Sequence, residues 1–231
     1  MRSVGVIFIF CFFSTLSFGK TYQFIGSAFP GVLEKSRDGK VKGRGAEIIY
    51  KVAHKLDIQV EISLYPWKRA LFMMEKGEAD VIIGPYKTKE RMKFLDYSNF
   101  TFYEDEILLY THADSKINWN GEISKIKDLK IGVIGGWRLG GDFELIKDKL
   151  NVLYLDNNNQ LFTMLKLKRI DIAISHDRAS SSHLSLNENK KLIKSLRPPL
   201  STSQGHFGFS KKRDLLKFKE QFEAEYRKLE Q

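Results

Sequence analysis

The sequence predicts an α/β protein made of two lobes. Strand and helix patterns alternate along the chain, and the alternation stops and begins again near residues 111–130. The composition agrees with this. At 231 residues, 42% apolar and 29% charged, the chain is ordinary globular protein, long enough for one large domain or two small ones. Disordered, collagen-like and disulfide-scaffold classes are excluded.

Tyr22 to Gly26 reads as a strand that runs into the turn Ser27-Ala28-Phe29-Pro30-Gly31. Ala46, Ile48, Ile49, Val52, Ala53 and Leu56 fall at helical spacing, and Ile58, Val60, Ile62 and Leu64 alternate as a half-buried strand does. Pro66 starts a helix from Trp67 to Lys76, and Gly77 ends it. Val81-Ile82-Ile83 is a strand stopped by Gly84-Pro85, and Ile107 to Tyr110 is another. The second run opens with the strand Ile131 to Ile134, leads into Gly135-Gly136, and continues as a helical stretch to Leu150. Val152 to Leu155 is a strand, Gln160 to Lys168 a helix and Ile170 to Ile174 a strand. Leu215, Phe218, Phe222, Tyr226 and Leu229 form one face of a C-terminal helix. This alternation implies parallel sheets with helices on both faces. Open sheets of this kind present ligands at the carboxyl ends of their strands, near Ser27, Gly84, Gly135 and Ser175.

Residues 1–19 read as a removable secretory signal. Arg2 precedes an apolar run from Val4 to Phe13, and Ser17 and Gly19 suit a cut before Lys20. The run is too short to span a bilayer, which takes roughly 20 residues. The competing reading is a buried N-terminal helix or strand. The lone cysteine, Cys11, lies inside this segment, so cleavage leaves a cysteine-free chain that relies on its core. With no second long apolar stretch, a soluble exported protein is expected.

Several catalytic patterns fail. Ser175-His176-Asp177 spells a triad, but consecutive side chains point apart and cannot form a relay. Gly43-Arg44-Gly45 lacks the third glycine of a dinucleotide loop. Gly132-Val133-Ile134-Gly135-Gly136 lacks the Lys-Ser/Thr ending of a phosphate loop. The five histidines (54, 112, 176, 183 and 206) show no metal-ligand spacing. The net charge of +10 is scattered rather than striped, which argues against nucleic acid. No metal and no cofactor are expected.

The segment from Gly84 to Ser98 follows a strand and reads as opening a helix. Thr88 would cap that helix, and Arg91 one turn later would offer a planar fork to a carboxylate. A surface arginine in a charged helix is the competing reading. The segment resembles the G-x-x-x-T-x-x-R…F-x-D-F-S pattern of bacterial extracellular solute-binding proteins of family 3, the amino-acid-binding type. The resemblance extends through Phe29-Pro30, Gly43 to Leu56, Pro66-Trp67 to Gly84, Ile131 to Gly136 and Arg169 to Asp177.

That resemblance implies a periplasmic binding protein type II fold, two α/β lobes joined by a hinge and closing on a ligand. Carried over, Arg91 would bind the ligand's carboxylate with help from Thr88 and the backbone near Gly84. Phe29 would form an apolar wall, and Asp177 would accept an ammonium group. Gly135, Gly136 and Trp137 would present backbone N–H groups at a helix start. The chain departs from the pattern at Arg44-Gly45-Ala46, at Val32 and at Trp137-Arg138, where small or hydroxyl residues are usual. Trp137 would fill the pocket or stack on the ligand, and Arg138 would meet a second anionic group. Trp67 reads as a core residue.

The resulting expectation is lobe 1 at 20–108 plus 207–231 and lobe 2 at 109–206, with crossings at Ile107 to Tyr110 and His206 to Phe209. Function follows as a monomeric periplasmic receptor that captures a small polar solute, an amino acid or related carboxylate, for an ABC permease. Two rivals stay open. One is a cyclohexadienyl-type dehydratase using Glu47, His176 or Asp177, and the other is a free-standing sensory binder.

Overall fold

The protein is described by a computed structural model covering residues 20–185 and 191–230. The expected signal, residues 1–19, lies outside the described residues. The chain runs β1 (Thr21–Gly26), a hairpin of β2 (Glu34–Lys35) and β3 (Val41–Lys42), then α1 (Arg44–Leu56) and β4 (Gln59–Leu64). It continues through α2 (Trp67–Lys76), β5 (Val81–Ile83) and β6 (Leu95–Tyr97) into the long β7 (Tyr103–His112). Next come β8 (Ile131–Ile134), α3 (Phe143–Ile146), β9 (Val152–Leu155), α4 (Asn158–Lys166), β10 (Ile172–His176) and α5 (Asp177–Leu184). Then follow β11 (Ile193–Gly205), β12 (Phe207–Ser210) and α6 (Leu216–Leu229).

These strands form two five-stranded sheets, β4-β1-β5-β12-β6 and β11-β7-β10-β8-β9. In the first, α6 lays Phe218, Phe222 and Tyr226 onto Phe24, Phe207 and Phe209. These positions, four apart, share one helix face, and each fully buried aromatic contributes about 1.5–3 kcal/mol. Helix α1 buries Ala46, Ile49 and Val52 in the same cluster. Gly43 precedes that helix at φ 108°, where an added Cβ would stand 2.7 Å from the Val32 carbonyl oxygen, so only glycine fits. A separate cluster around Ile25, Met74 and Ile82 includes residues of α2. In the second sheet, Ile107, Leu109 and Ile174 belong to one cluster and Leu108, Tyr110 and Ala173 to another. That alternation is what a strand buried on both faces requires.

The sheets are mixed rather than parallel. β12 runs antiparallel to β5 and β6, and β7 runs antiparallel to β10 and β11. These are the strands on which the chain passes between sheets, and such a direct passage has no crossover helix to restore a parallel sense. The passage also lies earlier than residues 107–110. Ile107 and Leu108 already pair with His176 and Ser175 in the second sheet. β7 and β11 run side by side from His112 opposite Ile193 to Tyr103 opposite Gly205, and the hinge ends there. An added Cβ on Gly205 would overlap the Tyr103 ring.

The helical stretch expected up to Leu150 contracts to the four residues of α3 and a short 3-10 turn. Gly140 and Gly141, both at positive φ, break the backbone ahead of it. The long β11 is missing from the sequence reading because Pro198 and Pro199 argue against a strand. The structure places both prolines where the pairing register shifts, between Leu196 and Ser201, on the sheet's edge.

Candidate functional site

The loops following β1, β5 and β8 and the end of β10 converge on one cleft between the sheets, with about 500 Å3 of space that is partly open to solvent. These are the four strand ends the sequence singled out. Phe29 comes from the first loop, Gly84 and Tyr86 from the second, Trp137 and Arg138 from the third, and His176 is the last residue of β10. Trp67 at the start of α2 and Tyr103 at the start of β7 complete an aromatic wall. Rings from the two sides touch. Phe29 meets His176 at 5.5 Å and Trp137 at 6.2 Å between centroids, and Tyr86 meets His176 at 5.5 Å.

Arg91 lines this cleft and is 5% exposed. The segment holding it does not open a helix. It forms a single 3-10 turn, Arg91–Lys93, so no helix dipole supports the guanidinium. Thr88 stabilises the turn, its Oγ1 accepting from the Arg91 N–H at 3.2 Å, and it does not line the cleft. The Arg91 guanidinium donates to the Tyr86 carbonyl at 3.1 Å and, across the cleft, to the Gly136 carbonyl at 3.4 Å. It also lies 5.4 Å over the Trp67 ring, so the residue read as core serves packing and cleft together. Among the described residues no carboxylate forms an ion pair with it. Burial pulls its pKa below the ordinary value, partly offset by nearby Tyr97, yet an arginine stays charged.

The structure brings together Arg91, Phe29, Gly84 and Trp137, but not Thr88 or Asp177. Asp177 is exposed at the start of α5 and accepts from the Tyr110 hydroxyl at 3.4 Å. The side-chain alternation along β10 and into α5 separates the three residues of the spelled triad. Ser175 is buried against Asn158, His176 faces the cleft, and Asp177 faces solvent. The turn at Gly135-Gly136-Trp137 starts no helix, and its N–H groups on Gly135 and Trp137 are taken by the carbonyls of Leu155 and Ile134. Gly135 and Gly136 instead crowd against the Lys68 side chain. The Gly84 backbone is also engaged, its N–H with His206 and its carbonyl with the Tyr103 hydroxyl. Arg138 is held by Glu144 at 2.9 Å and, across the cleft, by Glu90 at 3.2 Å.

Sequence reasoning missed Tyr86 and Tyr103 as wall residues. Tyr86 sits inside the segment carrying Arg91, a signal that could have found it. Tyr103 has no such marker. His176 had been weighed only as a catalytic candidate. Both its ring nitrogens are buried with no hydrogen-bond partner, and desolvation pulls its pKa down to about 3, so it is neutral at physiological pH. Glu47 is exposed on α1, away from the cleft. Among the described residues no group of three or more His, Cys, Asp or Glu side chains is placed to hold a metal, and no helix is long and apolar enough to cross a membrane.

Two sheets linked by paired antiparallel strands, with a cleft at their facing strand ends, give this chain the two-lobed α/β architecture of the periplasmic binding protein type II fold. Residues 26–217 match the bacterial extracellular solute-binding proteins, family 3, and the chain belongs to that family. A glutamine-binding protein of Geobacillus stearothermophilus is 32% identical over 155 residues, 64% of this chain and 56% of that relative's length. Holo ArgBP from T. maritima superposes with a TM-score of 0.76 at 20% identity, covering 91% of each chain. A histidine kinase sensor domain with similarity to periplasmic binding proteins superposes at 0.78 with 14% identity, covering 92% of this chain and 91% of that one. At such identities the structural likenesses speak to the fold.

Proposed function

We propose that this protein is an exported periplasmic receptor, monomeric, that encloses an amino acid or related carboxylate between its lobes and delivers it to an ABC permease. Its lobes would be residues 20–102 with 206–230, and 103–205, and its first 19 residues a cleaved signal. The observation carrying this reading is Arg91: a buried guanidinium, satisfied only by neutral carbonyls, lining the cleft. A planar cation in that setting is built to take a carboxylate on its fork. The glutamine-binding relative and the family of the chain support a solute of this class.

Closure follows from the geometry. Arg91 and Glu90 on one lobe reach Gly136 and Arg138 on the other, so contacts across the cleft form only when the lobes approach. A ligand that touches both lobes then favours the closed form by its differential affinity. Binding rather than catalysis is further supported by the positions of Glu47 and Asp177: of the three residues weighed as acid or base, His176 alone lines the cleft.

A thermal-shift screen of amino acids and organic acids tests this, because a ligand that binds only the folded state raises Tm. Any hit is expected to lose its shift in Arg91→Ala while the free protein's Tm moves little. An undiminished shift in that variant overturns the carboxylate assignment.

A further inference from the structure

The cleft holds one cation, Arg91, that no carboxylate balances. Arg138 also lines it but is paired with Glu144 and Glu90, and among the described residues no aspartate or glutamate lines it. The nearby carboxylates are committed elsewhere. Asp105 is bound by Arg178 at 2.7 Å, Glu144 and Glu90 are bound by Arg138, and Asp177 faces solvent. An ammonium group enclosed here would give up its water beside the unpaired Arg91 guanidinium, with no free carboxylate in the lining to receive it, which is unfavourable. Half of the remaining lining is aromatic and most of the rest is aliphatic, so most of the ligand surface would be met by rings and apolar side chains.

Among the described residues, one buried polar side chain in that wall is unspent. His176 is 3% exposed, packed 4.3 Å from Trp137 between ring centroids, with neither nitrogen hydrogen-bonded. Buried polar atoms are rarely left in this condition, and a neutral imidazole has one N–H to give and one lone pair to receive. A hydroxyl, itself both donor and acceptor, is the natural complement.

We propose that the ligand is an aromatic carboxylate without an ammonium group, its carboxylate on Arg91, its ring among the cleft's aromatics and an uncharged hydroxyl on His176. This rests on the carboxylate reading of Arg91 and narrows the solute to a class outside the amino acids.

The test is calorimetric titration of the full-length mature protein with four probes: 3-(4-hydroxyphenyl)propionate, 3-phenylpropionate, L-tyrosine and glycine betaine. The first is expected to bind at least about tenfold more tightly than L-tyrosine, which differs by the ammonium group alone. Equal or tighter binding of L-tyrosine overturns this proposal and leaves the carboxylate reading intact. Binding of glycine betaine without the hydroxyphenyl acid also overturns it, showing that the rings form a cage for a quaternary cation. If none of the four binds and the amino-acid and organic-acid screen is also silent, both readings fail. His176→Phe is expected to weaken the hydroxyphenyl acid about tenfold and 3-phenylpropionate much less, the usual penalty for one lost hydrogen bond. His176→Gln, which keeps polar atoms, guards against misfolding and is expected to retain part of the preference. Equal losses for both acids in both variants would overturn the role given to His176.

Discussion

Among the charged side chains buried on the first-lobe side of the molecule, Asp80 and Arg91 are treated in opposite ways. Asp80 is 0% exposed and saturated. Its carboxylate accepts from the Gln23 N–H at 2.8 Å and from Arg213 at 3.0 Å, with Lys20 at 4.0 Å. Arg91 is 5% exposed and is given only two carbonyls and the face of a ring. The first is a charge whose counter-charges are all built into the chain, so it ties β1, β5 and the segment before α6 together. The second keeps its attraction for an anion from outside. A buried charge matched internally speaks of architecture, and one matched only by neutral groups speaks of a ligand.

The largest effect is expected where the internal match is broken. Asp80→Ala strands Arg213 and the Gln23 N–H and is expected to cost about 3 kcal/mol of stability, at the low end because Arg213 is partly solvated. Urea unfolding reads this, and ligand affinity in the surviving folded protein is expected to stay unchanged. A matching loss of affinity would erase the contrast with Arg91. Next comes Arg91→Lys, which keeps the charge but loses the fork. It is expected to weaken binding by about 2 kcal/mol, roughly 30-fold, in a titration, with stability shifted by less.

The buried imidazole gives a pH test. The His176 pKa falls from an ordinary 6.5 to about 3 on folding, so the unfolded chain takes up the proton first. Its contribution to stability is complete above pH 6.5 and is lost as pH falls towards 3, with a slope of at most about 1.4 kcal/mol per pH unit. The difference between wild type and His176→Gln, followed by Tm against pH, is expected to grow only in that window. A constant difference would show that His176 does not titrate on unfolding. The smallest effect is expected at the exposed Glu90–Arg138 contact across the cleft. Glu90→Gln is expected to raise Kd slightly, and added salt should remove the difference.

The sequence made the positions of the site more legible than its chemistry. The loops after β1, β5 and β8 were placed because apolar runs ending in Gly, Pro or Ser are local signals, whereas β10 runs on through Ser175 to His176 and passes straight into α5. The segment around Arg91 was placed too, but not its conformation. Which side of a strand end a residue faces depends on tertiary packing, so Asp177 and His176, adjacent in sequence, exchanged importance once folded. The aromatic wall was legible only through Phe29 and Trp137, for the same reason. Phe29, Trp67, Tyr86, Tyr103 and Trp137 come from five separate segments, and no spacing rule connects them. The mixed sheets escaped because alternation of strand and helix reports local periodicity, whereas β7 and β11 pair over some 90 positions of chain.

Tyr103 carries one further consequence. It stands at the end of the paired strands, its ring lies against Gly205 and within the cleft wall, and its hydroxyl holds the Gly84 carbonyl. One rigid side chain therefore belongs to both the joint and the chamber. A bend of the chain where β7 and β11 end moves this wall directly, without relay through intervening residues, so the angle between the lobes and the width of the chamber act as a single mechanical coordinate.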